Sequence, residues 1–149
     1  MSRAALLLVV PLLLGCTPRE EAPMADTTAM ADEAAAPMNY AGTWTVNVMP
    51  ETQDTVLLSY DLVTTNEQTG WSLTLPDREP EMPRIISMNS DSVVVENGPY
   101  PSVFRPNVMV TTYSTMWLEG DRLIGRSIAR YATTDADSVV RFRTVGTRK

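Results

Sequence analysis

The sequence predicts an all-β domain, an antiparallel meander of about eight strands. Three observations predict it. From Tyr40 onward apolar residues recur at every second position, the period of a half-buried strand. The runs are rich in Val, Thr, Ile and aromatic residues, which fit a pleated surface. The breaks between runs are short clusters of Asn, Asp, Gly, Ser and Pro, and no segment sustains a 3.6-residue apolar stripe.

Taken in order, Trp44, Val46 and Val48 alternate with Thr43, Thr45 and Asn47 in the first run. Val56, Leu58, Tyr60 and Leu62 share one face of the second, and Trp71, Leu73 and Leu75 one face of the third. Ile85-Ile86 and Val93-Val94-Val95 make two short runs. A long one spans Val108 to Leu118, and Leu123 to Tyr131 and Val139 to Val145 complete the series. The separators are Asn66 to Gly70, Asn89-Ser90-Asp91, Asn97-Gly98-Pro99, Glu119-Gly120-Asp121 and Thr133 to Asp137. Glu119-Gly120-Asp121, between two alternating runs, is the clearest hairpin turn. Pro76 to Pro83, with its prolines and acids, reads as an exposed loop. Such a chain closes into an up-and-down barrel or folds as a two-sheet sandwich, since both use alternating strands and short turns.

Gly42-Thr43-Trp44 opens the first run. It resembles the Gly-x-Trp at the start of lipocalin and related calycin barrels. The resemblance implies an eight-stranded barrel in which Trp44 closes one end and an arginine of the last strand packs across the indole. Arg141 and Arg143, on the run Val139 to Arg143, are the candidate partners. A guanidinium stacked on an indole face has a physical basis. The other lipocalin loop motifs are absent.

The N-terminus states an address. Met1-Ser2-Arg3 precedes an apolar run from Ala4 to Leu14, and Gly15-Cys16 follow. A short positive segment, an apolar stretch and a small residue at the cut define a secretory leader. The run is too short to span a bilayer, which takes about 20 apolar residues. Leu13-Leu14-Gly15-Cys16 resembles the lipobox of bacterial lipoproteins. The resemblance implies cleavage after Gly15, lipid on the Cys16 thiol and fatty acylation (palmitate) of the new N-terminus. In that family an Asp after the Cys commonly retains the protein at the inner membrane. Thr17 stands there instead, which implies the outer membrane with the domain facing the periplasm. The expected layout is a signal peptide over 1–15, a lipidated Cys and tether over 16–38, and a β-domain over 39–149. The tether carries Pro18, Pro23 and Pro37, many Ala, scattered acids and no aromatic residue, too little apolar surface to offset its ordering entropy. As a flexible chain it reaches about 25 Å on average.

Composition narrows the chemistry. The chain has no histidine and one cysteine. This excludes Ser-His-Asp and Cys-His catalytic units and His-ligated zinc or haem. With Cys16 committed to lipid, thiolate sites and disulfides go as well. No catalytic residues, cofactor or metal site are expected, and the chain is read as not an enzyme. The net charge of −6 argues against nucleic acid as a partner. Acids dominate up to Phe104 and bases dominate from Arg105 onward. Either neighbouring strands pair these charges, or the second half presents a basic patch to anionic lipid or an acidic ligand.

Two segments carry the candidate ligand-binding residues. On the Val108–Leu118 run one face holds Val108, Val110, Thr112, Ser114, Met116 and Leu118, and the other holds Met109, Thr111, Tyr113, Thr115 and Trp117. On the next run Leu123, Gly125, Ser127, Ala129 and Tyr131 form a face of mostly small residues, opposite Ile124, Arg126, Ile128 and Arg130. Small inward residues leave room in a barrel or accept a close-packed neighbour. Thr112, Ser114, Met116, Ser127 and Tyr131 are therefore the candidate cavity lining, with Arg126, Arg130, Arg141 and Arg143 expected in solvent over their Ile and Val neighbours. The rival placement puts one or two arginines inside, gripping a carboxylate. The expected function is a membrane-anchored envelope lipoprotein whose lipocalin-like module binds a small apolar or amphipathic ligand. The alternative is a structural or protein-interaction lipoprotein that docks an envelope partner.

Overall fold

A computed structural model describes residues 38–149. The leader with Leu13, Leu14 and Gly15, the lipidation residue Cys16 and the tether up to Pro37 lie outside the described residues.

Eight strands follow one another: β1 (Gly42–Pro50), β2 (Leu58–Thr64), β3 (Ser72–Thr74), β4 (Arg84–Met88), β5 (Val93–Pro101), β6 (Met109–Glu119), β7 (Arg122–Tyr131) and β8 (Val139–Arg148). All pairings are antiparallel, in one sheet of order β3-β2-β1-β8-β7-β6-β5-β4. The chain is thus an up-and-down meander whose first strand meets its last, and the sheet curls like a barrel. The two-sheet sandwich is ruled out by this single continuous ladder. The seam lies between β3 and β4, the two shortest strands. It is partly bridged by Glu81, whose backbone exchanges two 2.8 Å hydrogen bonds with Leu73. Short and bulged edge strands offer little template for further pairing.

The register turns the period-two pattern into an inside and an outside. Leu123, Gly125, Ser127, Ala129 and Tyr131 of β7 are all buried, and their neighbours Arg122, Arg126 and Arg130 are exposed. The β6–β7 hairpin sets this register through Gly120, at φ +61°, so that Ser114 lies opposite Ser127 and Met116 opposite Gly125. A side chain at Gly125 would collide with Thr144 and Met116, and one at Gly146 would press on Leu123. Near these glycines the small residues accept close-packed neighbours. Further along β7, at Ser127 and Ala129, they leave room.

One expected break is a correction. Asn97-Gly98-Pro99 does not end a strand but lies within β5, where the pairing with β6 shifts register between Asn97 and Tyr100. A bulge absorbs Gly and Pro as well as a turn does. Gly98 sits at φ +113°, and a Cβ there would press on the Val110 carbonyl, so no side chain fits.

The core is in two parts. The larger cluster gathers Tyr40, Trp44, Val46, Leu62, Trp71 and Leu123, with Val93, Val95 and Met116. The smaller one gathers Val110, Ala129 and Tyr131, with Tyr100 and Phe142 against it. They occupy opposite ends of the curled sheet.

Candidate functional site

At the first end the structure builds a plug. Trp44 is fully buried, and its indole N–H is shared between the Tyr40 carbonyl at 3.2 Å and the Thr64 hydroxyl at 2.9 Å. Thr64 in turn donates to the Tyr40 carbonyl. Tyr40 packs against Trp71 with ring centroids 6.3 Å apart. Across the indole lies the guanidinium of Arg148, 4.2 Å from the ring centre, donating to the carbonyls of Ala41 and Asn39. Gly42 is part of the same device, because a side chain there would occupy the place of the Arg148 guanidinium.

The arginine partner expected for Trp44 is a correction. The arginine over Trp44 is Arg148, not Arg141 or Arg143. The reason is parity. Trp44 pairs with Arg148, and on β8 the even positions Phe142, Thr144, Gly146 and Arg148 face the same side as Trp44. The odd positions Arg141 and Arg143 face out. Arg126, Arg130 and Arg141 are exposed, and half-buried Arg143 bonds Asp54 and the Gln53 carbonyl on the outside. None of these arginines grips a ligand inside the sheet.

Between the two clusters is a cavity of about 80 Å³. Leu62, Val95 and Met116 of one cluster and Val110, Ala129 and Tyr131 of the other line it. Thr112, Ser114, Met116, Ser127 and Tyr131, the five candidates, all lie on its wall. Five further polar groups join them from elsewhere in the fold: Tyr60 on β2, Asn97 and Tyr100 on β5, Ser102 just after it and Thr144 on β8. No Asp, Glu, Lys or Arg is among the lining residues.

Some of the polar groups are paired. The Ser114 and Ser127 hydroxyls are 2.7 Å apart, one donating to the other. Asn97 donates to Glu81 at 3.0 Å. Among the described residues no buried side-chain nitrogen or oxygen lacks a partner. Burial pushes the Tyr60 phenol well above its ordinary range, with Tyr100 adding to the shift. Tyr100 is also raised, first by burial, while Thr112 and Arg78 pull the other way. Both phenols are neutral hydroxyls at ordinary pH.

The second end is covered by the loop between β5 and β6. Val103 and Phe104 of that loop reach the cavity, and Phe104 stacks on Phe142 at 5.9 Å. Phe104 is nevertheless 42% exposed and Val103 38%. Ser102 shapes the loop by accepting from the Phe104 and Arg105 N–H groups at 3.0 and 2.9 Å. Arg105 pins it, lying 4.0 Å over the Tyr131 ring and bonding Asp137 at 2.6 Å.

Sequence reasoning missed Tyr60, Tyr100, Asn97, Thr144, the Phe104 loop and Arg148. Thr144 and Arg148 lie on β8, where apolar residues fall on both parities and the sequence alone does not say which set faces in. The others come from strands far along the chain, and no spacing links them to β6 or β7. Among the described residues no group of three or more His, Cys, Asp or Glu could hold a metal ion. No known protein family, curated protein or solved structure matches this chain.

Proposed function

We propose that this protein is a lipid-anchored envelope lipoprotein whose β-domain holds a small, uncharged apolar or amphipathic molecule. One observation carries the reading: the cavity between the two core clusters, walled by apolar side chains and hydroxyls and free of charged groups. A carboxylate or phosphate would find no counter-charge there, and burying one unpaired costs several kcal/mol. Because the Ser114 and Ser127 hydroxyls already pair with each other, an apolar occupant leaves that pair satisfied. The volume is below the ~300–1,000 Å³ of drug-sized pockets. A small molecule fits as the cavity stands, and a longer one extends toward the Phe104 loop. The anchor rests on the Leu13 to Cys16 pattern.

Native mass spectrometry of the mature protein, gently purified from its own envelope, tests the cavity. The expected result is a discrete added mass that disappears on denaturation and is missing from Ala129→Phe, which fills the cavity. A bare mass for the unsubstituted protein overturns the ligand reading and leaves a structural or protein-interaction lipoprotein. The anchor has its own test: Cys16→Ala moves the protein out of the membrane fraction, and unchanged membrane association sinks that part.

A further inference from the structure

The cavity leaves the outer surface unexplained, and the outer surface is electrically lopsided. On the outer face of β6, β7 and β8 stand Arg122, Arg126, Arg130, Arg141 and Arg143, with Glu119 as the acid among them. Arg126 lies directly opposite Arg143, and Arg141 opposite Ile128 beside Arg130. Like charges facing across a ladder are destabilising, so such an arrangement is not explained by stability.

Ion pairing relieves only part of it. Arg143 meets Asp54. Glu119 instead accepts from the Trp117 indole at 2.8 Å. The other ion pairs are Arg84 with Glu96, Arg105 with Asp137 and Lys149 with Asp61. Arg122, Arg126, Arg130 and Arg141 are exposed and have no carboxylate partner among the described residues. Along β7 three of them are spaced four residues apart, about 13 Å from one to the next.

The residues between them matter as much. Ile124, Ile128 and Trp117 are half-buried on this face, and Tyr113 is exposed with the Arg130 guanidinium 5.9 Å from its ring. Cations interleaved with Trp, Tyr and branched aliphatics are the composition that settles at a bilayer interface. An acidic peptide would use the charges but has no need of the apolar residues between them.

We propose that this arginine face docks on anionic lipid headgroups of the membrane to which the chain is tethered. In a chain of net charge −6 this is the surface able to approach a negative bilayer. The proposal rests on the lipid-anchor reading, under which the domain stays beside the membrane. Docking then needs only a few weak contacts.

The test uses the mature protein reconstituted in vesicles of phosphatidylcholine alone and of phosphatidylcholine with phosphatidylglycerol, the lipids brominated near the headgroup. Trp44 and Trp71 are buried, so Trp117 is the tryptophan that brominated lipid can quench. Quenching is expected in the anionic vesicles, weak in the neutral ones, reversed by salt and abolished by Trp117→Phe. Each arginine replaced in the series Arg126→Gln, Arg130→Gln, Arg141→Gln lowers the docked fraction's equilibrium constant by about fivefold. Equal quenching in both vesicles, or no change in the triple variant, overturns the proposal. Failure of the anchor reading looks different. The protein then leaves the neutral vesicles altogether while anionic vesicles still quench Trp117. Failure of the arginine face leaves it on both vesicles with Trp117 unquenched.

Discussion

The two ends of this sheet solve one problem with the same parts and different strength. Each covers a buried aromatic ring with an arginine: Arg148 over Trp44 at one end and Arg105 over Tyr131 at the other. At the Trp44 end the arginine belongs to a regular strand, its partners are backbone carbonyls and the ring is fully buried. At the Tyr131 end it belongs to a loop, its partner is the carboxylate of Asp137 and the adjacent Phe104 is 42% exposed. A cavity lies between them. The difference teaches which end holds the fold and which end is built to yield. Under the proposed ligand reading, the loop end, with its exposed Phe104, is where the cavity is expected to open.

The sharpest way to break that comparison is to truncate one ring at each end. Trp44→Ala removes a fully buried indole together with its bonds to Tyr40 and Thr64. The expected cost is about 3–5 kcal/mol, a large part of what a small domain has. If that variant does not accumulate, Trp44→Phe keeps an aromatic ring but loses the indole N–H and part of the buried volume, at about 2–3 kcal/mol. Phe104→Ala costs about 1 kcal/mol, since half-exposed rings recover little on burial. Denaturant unfolding of the variants measures both. Equal losses at the two ends refute the asymmetry.

How much of this was legible in the sequence depends on the element. The β6–β7 hairpin was, because Gly120 marks the turn and alternation on both sides of it is unbroken. That is why the alternation alone places Thr112, Ser114, Met116, Ser127 and Tyr131 together, and all five line the cavity. On β8 the pattern is ambiguous, since Val139 and Val145 occupy odd positions while Val140 and Phe142 occupy even ones. Only pairing with β1 decides which set faces in, and Arg148 replaces Arg141 and Arg143 for that reason. Tyr60 and Tyr100 approach the cavity through long-range closure of the sheet, which no local spacing encodes.

A second, smaller effect reads the cavity wall between the ends. Tyr60 and Tyr100 have phenols raised above the ordinary value of 10.0, in both cases mainly by burial. Below that value both folded and unfolded chains hold the proton, and stability does not depend on these groups. Above it the unfolded chain releases the proton while the folded chain retains it. Stability therefore falls as pH rises from about 10 through the folded values, by at most about 1.4 kcal/mol per pH unit for each phenol. Tyr60→Phe is expected to reduce this alkaline slope, measured by unfolding at a series of pH values. An unchanged slope means that the wall around Tyr60 is wet.

The smallest effect sharpens the comparison most directly, because it sets the two arginines against each other. Arg148→Met keeps the stem and loses the charge over Trp44, with the bonds to Ala41 and Asn39. Those contacts tie the chain entering β1 to the end of β8, so their loss is felt by the whole fold, at about 1 kcal/mol. Arg105→Met loses the Tyr131 contact and the Asp137 pair, and both tie down only the loop between β5 and β6. Its global cost is expected below about 0.5 kcal/mol, as for exposed ion pairs. The consequence is local instead. Amide exchange at Phe104 and Arg105 accelerates, and it does so in the unsubstituted protein as salt screens the Asp137 pair. Salt leaves exchange near Trp44 unchanged, because carbonyl partners carry no net charge to screen. If Arg105→Met instead lowers global stability as much as Arg148→Met does, the loop is part of the core and does not serve as the cavity's entrance.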